Sequence, residues 1–205
     1  KIKVIVPMKS ILLTPSRTDI IRGERETLKL EIFPGDTTES RHAIWSSSDT
    51  NIATVSSNGV VTAKNKGQAI ITVKVGNFTR NCTVNVIVPL YAINLDITEM
   101  TMNTGDNGVL RVLYLPADTT NRPEFQWSSS NQQVATVRRS SSDRSFIAGV
   151  QAVGPGTAII TVSGDGYKAT CIVYVPLHLQ SISLSKSTIN MHVGQSEKLS
   201  ILLNP

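Results

Sequence analysis

Trp-Ser-Ser-Ser occurs twice, at Trp45–Ser48 and Trp127–Ser130, and each copy leads into an Ala-Thr-Val run, at Ala53–Val55 and Ala135–Val137. A chain that repeats itself at such a distance is limited to an array of small domains. Ile11 and Ile93, Gly23 and Gly105, Pro34 and Pro116, and Trp45 and Trp127 are each 82 residues apart. Further on, Gly67 and Gly156, Cys82 and Cys171, and Val86 and Val175 are each 89 apart, so the second copy carries seven extra residues between Val137 and Ala152. The same 89-residue step maps Ile93, Gly105 and Pro116 onto Ile182, Gly194 and Pro205. At the other end Val4-Ile5-Val6-Pro7 matches Val86-Ile87-Val88-Pro89. The expected organisation is therefore a last strand of a preceding repeat in 1–8, a full repeat in 9–90, a second with the insertion in 91–178, and the first strands of a further repeat in 179–205. A chain so divided looks like a segment of a longer array.

Each full repeat has the size of a small domain with one core. Short runs rich in Val, Ile and Thr alternate with period two, as in Ala69–Val75 and Ala158–Val162, and turn residues separate them about every 8 to 12 positions. The repeats are therefore expected to be all-β, tandem immunoglobulin-like sandwiches, with about seven strands and one central Trp apiece. Trp45 and Trp127 are assigned to the two cores, because aromatic residues are only 5% of the chain and these two sit inside the repeated strand pattern. Asn58-Gly59 is read as a tight hairpin turn that takes positive φ at both residues. Gly154-Pro155-Gly156 and Gly164-Asp165-Gly166 are read as further hairpin turns.

These segments together resemble the bacterial immunoglobulin-like domain, group 2. The resemblance rests on Trp45–Asp49, Ala53–Val55, Gly59–Ala63, Gly67–Val73 and Cys82–Val84, and departs in the second copy, where Asn131 replaces Asp49 and a longer loop replaces the Asn-Gly turn. It implies a non-enzymatic structural or adhesive module, an extended stalk on a bacterial surface or secreted protein. Two alternatives carry the same resemblance: an exterior decoration protein of a phage virion, and an accessory binding module of a carbohydrate-active enzyme. The implied location is the cell surface, the medium or the virion exterior. A fold of this kind hosts many functions, so the inference stops at that class.

Chemistry in the sequence agrees with a non-catalytic role. His42, His178 and His192 are the only histidines and lack the spacing of a zinc site. No Gly-x-Ser-x-Gly elbow or phosphate loop is present, and no Asp-x-Asp-x-Asp series offers calcium ligands. No catalytic residue, cofactor or metal is therefore expected. Cys82 and Cys171 occupy one position in successive repeats, too far apart to bridge, and are assigned to the cores as buried thiols. The formal net charge of +5 is modest, and no basic run with interleaved aromatics marks a nucleic-acid groove. The one local basic cluster, Arg138, Arg139 and Arg144, falls in the insertion and is the expected partner contact, since binding residues concentrate on loops held by a rigid scaffold. Expected partners are neighbouring repeats in the same chain, a host-surface glycan or protein, and other copies in an assembly. Nucleic acid and direct membrane insertion of this segment are not expected.

Overall fold

The computed structural model describes residues 4–140, 146–179 and 181–204, and among them no helix forms. They divide into two compact units. The first runs to Ala92 and takes in Tyr114–Arg122; the second holds Ile93–Leu113 and the chain from Pro123 onward.

In the first unit the strands are β1 (Ser10–Thr14), β2 (Arg17–Ile21), β3 (Arg25–Thr27), β4 (Lys29–Phe33), β5 (Ala43–Ser47), β6 (Ala53–Val55), β7 (Val60–Ala63), β8 (Gly67–Val75) and β9 (Phe78–Ile87). One layer has the order β2-β9-β8-β5. The other consists of β1-β4 and β3-β7-β6. Only Leu28 separates β3 from β4; it is buried, and its N–H donates to the Gly59 carbonyl at 2.9 Å. Alternation explains the layering. Along β8, Ala69, Ile71, Val73 and Val75 are buried while Gln68, Ile70 and Lys74 face out, so one face of a nine-residue strand goes into the core. Val84, Val86 and Cys82 answer from β9, and Val61 and Ala63 from the opposite layer.

The second unit repeats the plan with β10 (Ala92–Leu95), β11 (Glu99–Thr101), β12 (Asn107–Leu115), β13 (Gln126–Ser129), β14 (Ala135–Arg139), β15 (Ile147–Ala152), β16 (Gly156–Gly164) and β17 (Tyr167–Val175). Its sheets are β10-β12-β15-β14 and β11-β17-β16-β13. In both units the opening strand is split between the layers: β1 lies antiparallel to β4, then β2 joins the other sheet parallel to β9, as β11 lies parallel to β17. The rest of each unit supplies the long connection that a parallel pair requires. Two layers with this order form an immunoglobulin-like sandwich. Finally β18 (Ser181–Leu184) pairs with β19 (Ile201–Asn204). Ile182 and Leu184 are exposed there, whereas their counterparts Ile93 and Leu95 are buried.

Two of the turns differ from their sequence reading. Val55 pairs with Val61, and Ser56 N–H donates to the Val60 carbonyl, so the hairpin loop is the three residues Ser57-Asn58-Gly59. Only Gly59 has positive φ, at 77°. That is a type I turn closed by a glycine bulge, and Asn58 stays in the ordinary region. Sterics at Gly59 reinforce the choice of residue, because a Cβ there would stand 2.9 Å from both the Trp45 ring and the Leu28 carbonyl. Gly154-Pro155-Gly156 is not a hairpin, since β15 and β16 belong to different sheets and the segment crosses between them. By contrast Asp165-Gly166 closes a two-residue hairpin with φ of 49° and 82°, and Gly164 pairs with Tyr167 across it.

One loop contact recurs at the 82-residue step. Thr37 Oγ1 donates to the Val6 carbonyl at 2.8 Å, Thr38 N–H donates to the same oxygen at 2.9 Å, and Val6 N–H donates to Thr38 Oγ1 at 3.1 Å. Thr119, Thr120 and Val88 repeat the set at 2.8, 2.8 and 3.0 Å. All six residues lie in the first compact unit.

Candidate functional site

The insertion lengthens a strand pair before it lengthens a loop. β14 and β15 each exceed β6 and β7 by two residues, and the connecting segment grows from four residues to seven. Arg138 and Arg139 therefore stand on a strand and not on a loop tip, paired with Gly149 and Ala148. The ladder continues because the residues after Val137 can still alternate, where the first unit turns at once through Ser56–Gly59. Arg144 lies outside the described residues.

β14 is an edge strand of its sheet, and β13 is an edge strand of the other. An open depression of about 260 Å³ lies along this side of the second unit, lined by Trp127, Ser128, Ser129, Gln132, Thr136, Val137 and Arg138. A second, of about 390 Å³, spreads over the outer face of β12, β15 and β14. Asn107, Thr136, Arg138 and Gln151 are among its walls, and Gly149 lies between them. A Cβ added at Gly149 would come no nearer than 4.0 Å to another atom, so the glycine leaves open space beside Arg138. The corresponding positions in the first unit are Ser56 and Val60. Thr136 and Arg138 line both depressions. Among the described residues neither Arg138 nor Arg139 has a carboxylate partner.

The arrangement offers a guanidinium, a half-buried indole edge, hydroxyls and carboxamides. Among the described residues the linings of the two depressions contain no carboxylate or imidazole. A guanidinium with free donors suits an anionic oxygen group, and neighbouring amides and hydroxyls suit polar rims.

The other sequence-predicted residues lie elsewhere. Trp45 is half-buried and packs on the first core, and Trp127 is half-buried on β13. Cys82 and Cys171 are fully buried on β9 and β17 as free thiols. Burial, helped by Glu26, pushes the Cys82 thiol up; burial, then Asp96 and Glu99, pushes Cys171 up to about 11. Both are neutral at physiological pH and poor nucleophiles. His42 is exposed, His178 Nε2 meets Asn103 Oδ1 at 2.9 Å, and His192 N–H donates to Gln195 Oε1 at 3.2 Å, so the contacts given for His178 and His192 have no partner in common. No group of three or more potential metal ligands occurs among the described residues. None of the described helices could cross a membrane, since there are none.

Sequence reasoning missed the largest fully buried side chain, Phe125, and the polar contact of Thr119 with Val88. The second had a signal: Pro34-Gly35-Asp36-Thr37-Thr38 recurs as Pro116-Ala117-Asp118-Thr119-Thr120.

Comparison with known proteins adds the following. The family model of the bacterial Ig-like domain (group 2) matches residues 7–86 and again 90–173. Ice-binding protein 1 of Shewanella frigidimarina is 30% identical over 187 residues, covering 87% of this chain and 20% of that protein. Kappa-carrageenase of Pseudoalteromonas carrageenovora is 43% identical over 72 residues, 35% of this chain and 18% of the enzyme. The chain thus spans about a fifth of the length of the curated relatives it matches. Among solved structures, the N-terminal four Ig domains of Dscam1 isoform 6.44 superpose with a TM-score of 0.53 at 11% identity, over 84% of this chain and 47% of that one. This likeness concerns the fold alone.

Proposed function

Because the chain belongs to the bacterial Ig-like domain (group 2) family, we propose that it is a non-enzymatic structural repeat module of a bacterial surface or secreted protein, spacing and presenting other parts of that protein. The observation that carries this reading is the repetition of one sandwich, matched by the family in both copies, with cores filled mainly by aliphatic side chains. Repeated sandwiches give length and a stable scaffold, and chemistry resides elsewhere in such a protein.

The partner contact belongs to the β14 edge of the second unit. Arg138 and Arg139 would engage an acidic group on a host-surface glycan or protein, or on another copy in an assembly. A second reading, an accessory binding module of a carbohydrate-active enzyme, is favoured by the match to part of kappa-carrageenase. The two readings part on a glycan array probed with the chain. Retention of acidic polysaccharides of the kind a carbohydrate-active enzyme degrades, lost in the R138S/R139S/R144S variant, supports the accessory binding module, whereas retention of acidic host-surface glycans alone supports the surface module. No retention of any glycan leaves the spacer reading in place. Retention unaffected by the triple substitution removes the β14 contact from both.

A further inference from the structure

The loop 116–121 belongs by sequence to the second repeat, yet it is part of the first compact unit. Thr119 is only 2% exposed, and its hydroxyl donates to the Val88 carbonyl and accepts from Asn121 N–H at 3.2 Å. With Thr120, it satisfies both the N–H and the carbonyl of Val88, which is itself 2% exposed. Val88 directly follows β9, the strand that holds Cys82 in the core and pairs with both β2 and β8. On the same side, Arg22 Nη1 reaches Asp118 Oδ2 at 2.5 Å, and Lys66 Nζ donates to the Asp118 carbonyl at 3.1 Å. Arg22 is tied to the end of β9 as well, its N–H donating to the Ile87 carbonyl at 2.9 Å.

We infer that the Asp118-Thr119-Thr120 loop is a latch on the end of β9, so that the first sandwich is complete only when this segment of the following repeat is in place. The surface that receives it is the Val88 peptide flanked by Arg22 and Lys66, and its partner is an Asp-Thr-Thr loop. Thr37 and Thr38 make the same hydrogen bonds to Val6, which shows that the polar part of the latch is a recurrent device and not an accident of one loop. The charged part is specific to the first unit. At the positions of Arg22 and Lys66 the second unit has Thr104 and Pro155, which offer no cation. The physical reason for a threonine is that its hydroxyl gives the buried Val88 carbonyl a second donor beside the Thr120 N–H, and each such bond contributes a modest net stabilisation. Several such bonds on one peptide fix the strand end, where fraying of a sheet begins.

The two buried thiols provide the test, since each unit has one, Cys82 or Cys171. In the full chain, N-ethylmaleimide modification of each thiol is followed by peptide mass spectrometry under native conditions, where the labelling rate reports the opening equilibrium around that cysteine. T119V removes the hydroxyl at nearly constant shape. The expected result is that Cys82 labelling rises about three- to tenfold relative to Cys171, the equivalent of one hydrogen bond lost from a Val88 carbonyl that keeps the Thr120 N–H. T119S, which keeps the hydroxyl, should restore the native ratio. D118N should raise the ratio by a smaller factor that disappears in high salt, because the ion pair is exposed and screened. A Cys82 to Cys171 ratio that stays unchanged in T119V, or falls because Cys171 alone becomes reactive, overturns the inference. It would place the loop's stabilising role wholly in the repeat that encodes it.

Discussion

Phe125 is fully buried on the way into β13, and the residue at the same place in the first repeat is Ala43. Across the sheet the sizes reverse. Ala43 pairs with Val75, while the counterpart of Val75 is Gly164. A Cβ at Gly164 would lie 2.4 Å from the Glu124 carbonyl and 2.9 Å from the Phe125 ring. One repeat places the bulk on β8, the other at the start of β13, and each keeps the pair's combined volume within what a close-packed core accepts. G164V should therefore destabilise the second unit by about 3 kcal/mol or more, since the clash involves backbone that cannot rotate away. F125A should cost about 3–5 kcal/mol through the cavity it leaves. The double variant F125A/G164V should be more stable than additivity allows. Urea titration followed by Trp127 fluorescence in a W45F background measures all three. Additive costs would show that the two positions are independent. This exchange was not legible in the sequence, because comparing repeats singles out positions that stay the same. Trp45 and Trp127 were visible for that reason, and Phe125 was hidden behind an alanine.

At the level of elements, alternation revealed the strands, since inward Val and Ile at every second place leave few other options for runs such as Gly67–Val75. It could not reveal which sheet each strand joins. Periodicity says that one face is buried, not which neighbour provides the hydrogen bonds. Thus the parallel docking of β2 on β9 and the crossing at Gly154-Pro155-Gly156 emerge only from the assembled sandwich. The same limit applied to the candidate site. From the sequence Arg138 and Arg139 fall on a loop, because the first repeat turns at that point, but the β14–β15 ladder runs on for two more pairs. If the added ladder serves contact and not stability, it is removable. Replacing residues 138–149 by Ser-Ser-Asn-Gly-Val, the sequence of the first repeat from Ser56 to Val60, should leave the second unit folded. The expected loss in its unfolding free energy is about 1–3 kcal/mol, because the segment takes with it the fully buried Ala148 and the β15 partners of Leu110 and Arg111, while a shorter loop costs slightly less to close. Circular dichroism and Trp127 fluorescence would check this. A variant that fails to fold would make the insertion part of the second core, and would weaken the assignment of its arginines to partner contact.

For the whole molecule, repetition explains most of the architecture, and departures from it mark where the two units behave differently. Both have one half-buried Trp and one buried Cys, so each can be followed alone. Their electrostatics are not equivalent. Arg22 holds the Asp118 carboxyl below the ordinary aspartate range, chiefly through their hydrogen bond, with Lys66 adding a smaller effect of the same sign. A carboxylate with a lowered folded-state pKa stabilises the folded unit above the ordinary aspartate range, and that contribution is lost as the pH falls through the lowered value. The second unit has Thr104 and Pro155 in place of the two cations, so it has no matching contribution at those positions. Urea midpoints of the first unit, read from Trp45 in a W127F background, should fall on acidification below the ordinary aspartate range. The fall should be shallower in D118N at low salt, and the two proteins should converge at high salt, because the ion pair is exposed and screened. Acid profiles of wild type and D118N that coincide at low salt would show that the pair is present without contributing. The latch would then rest on Thr119 and Thr120 alone, and its strength would be independent of pH in this range.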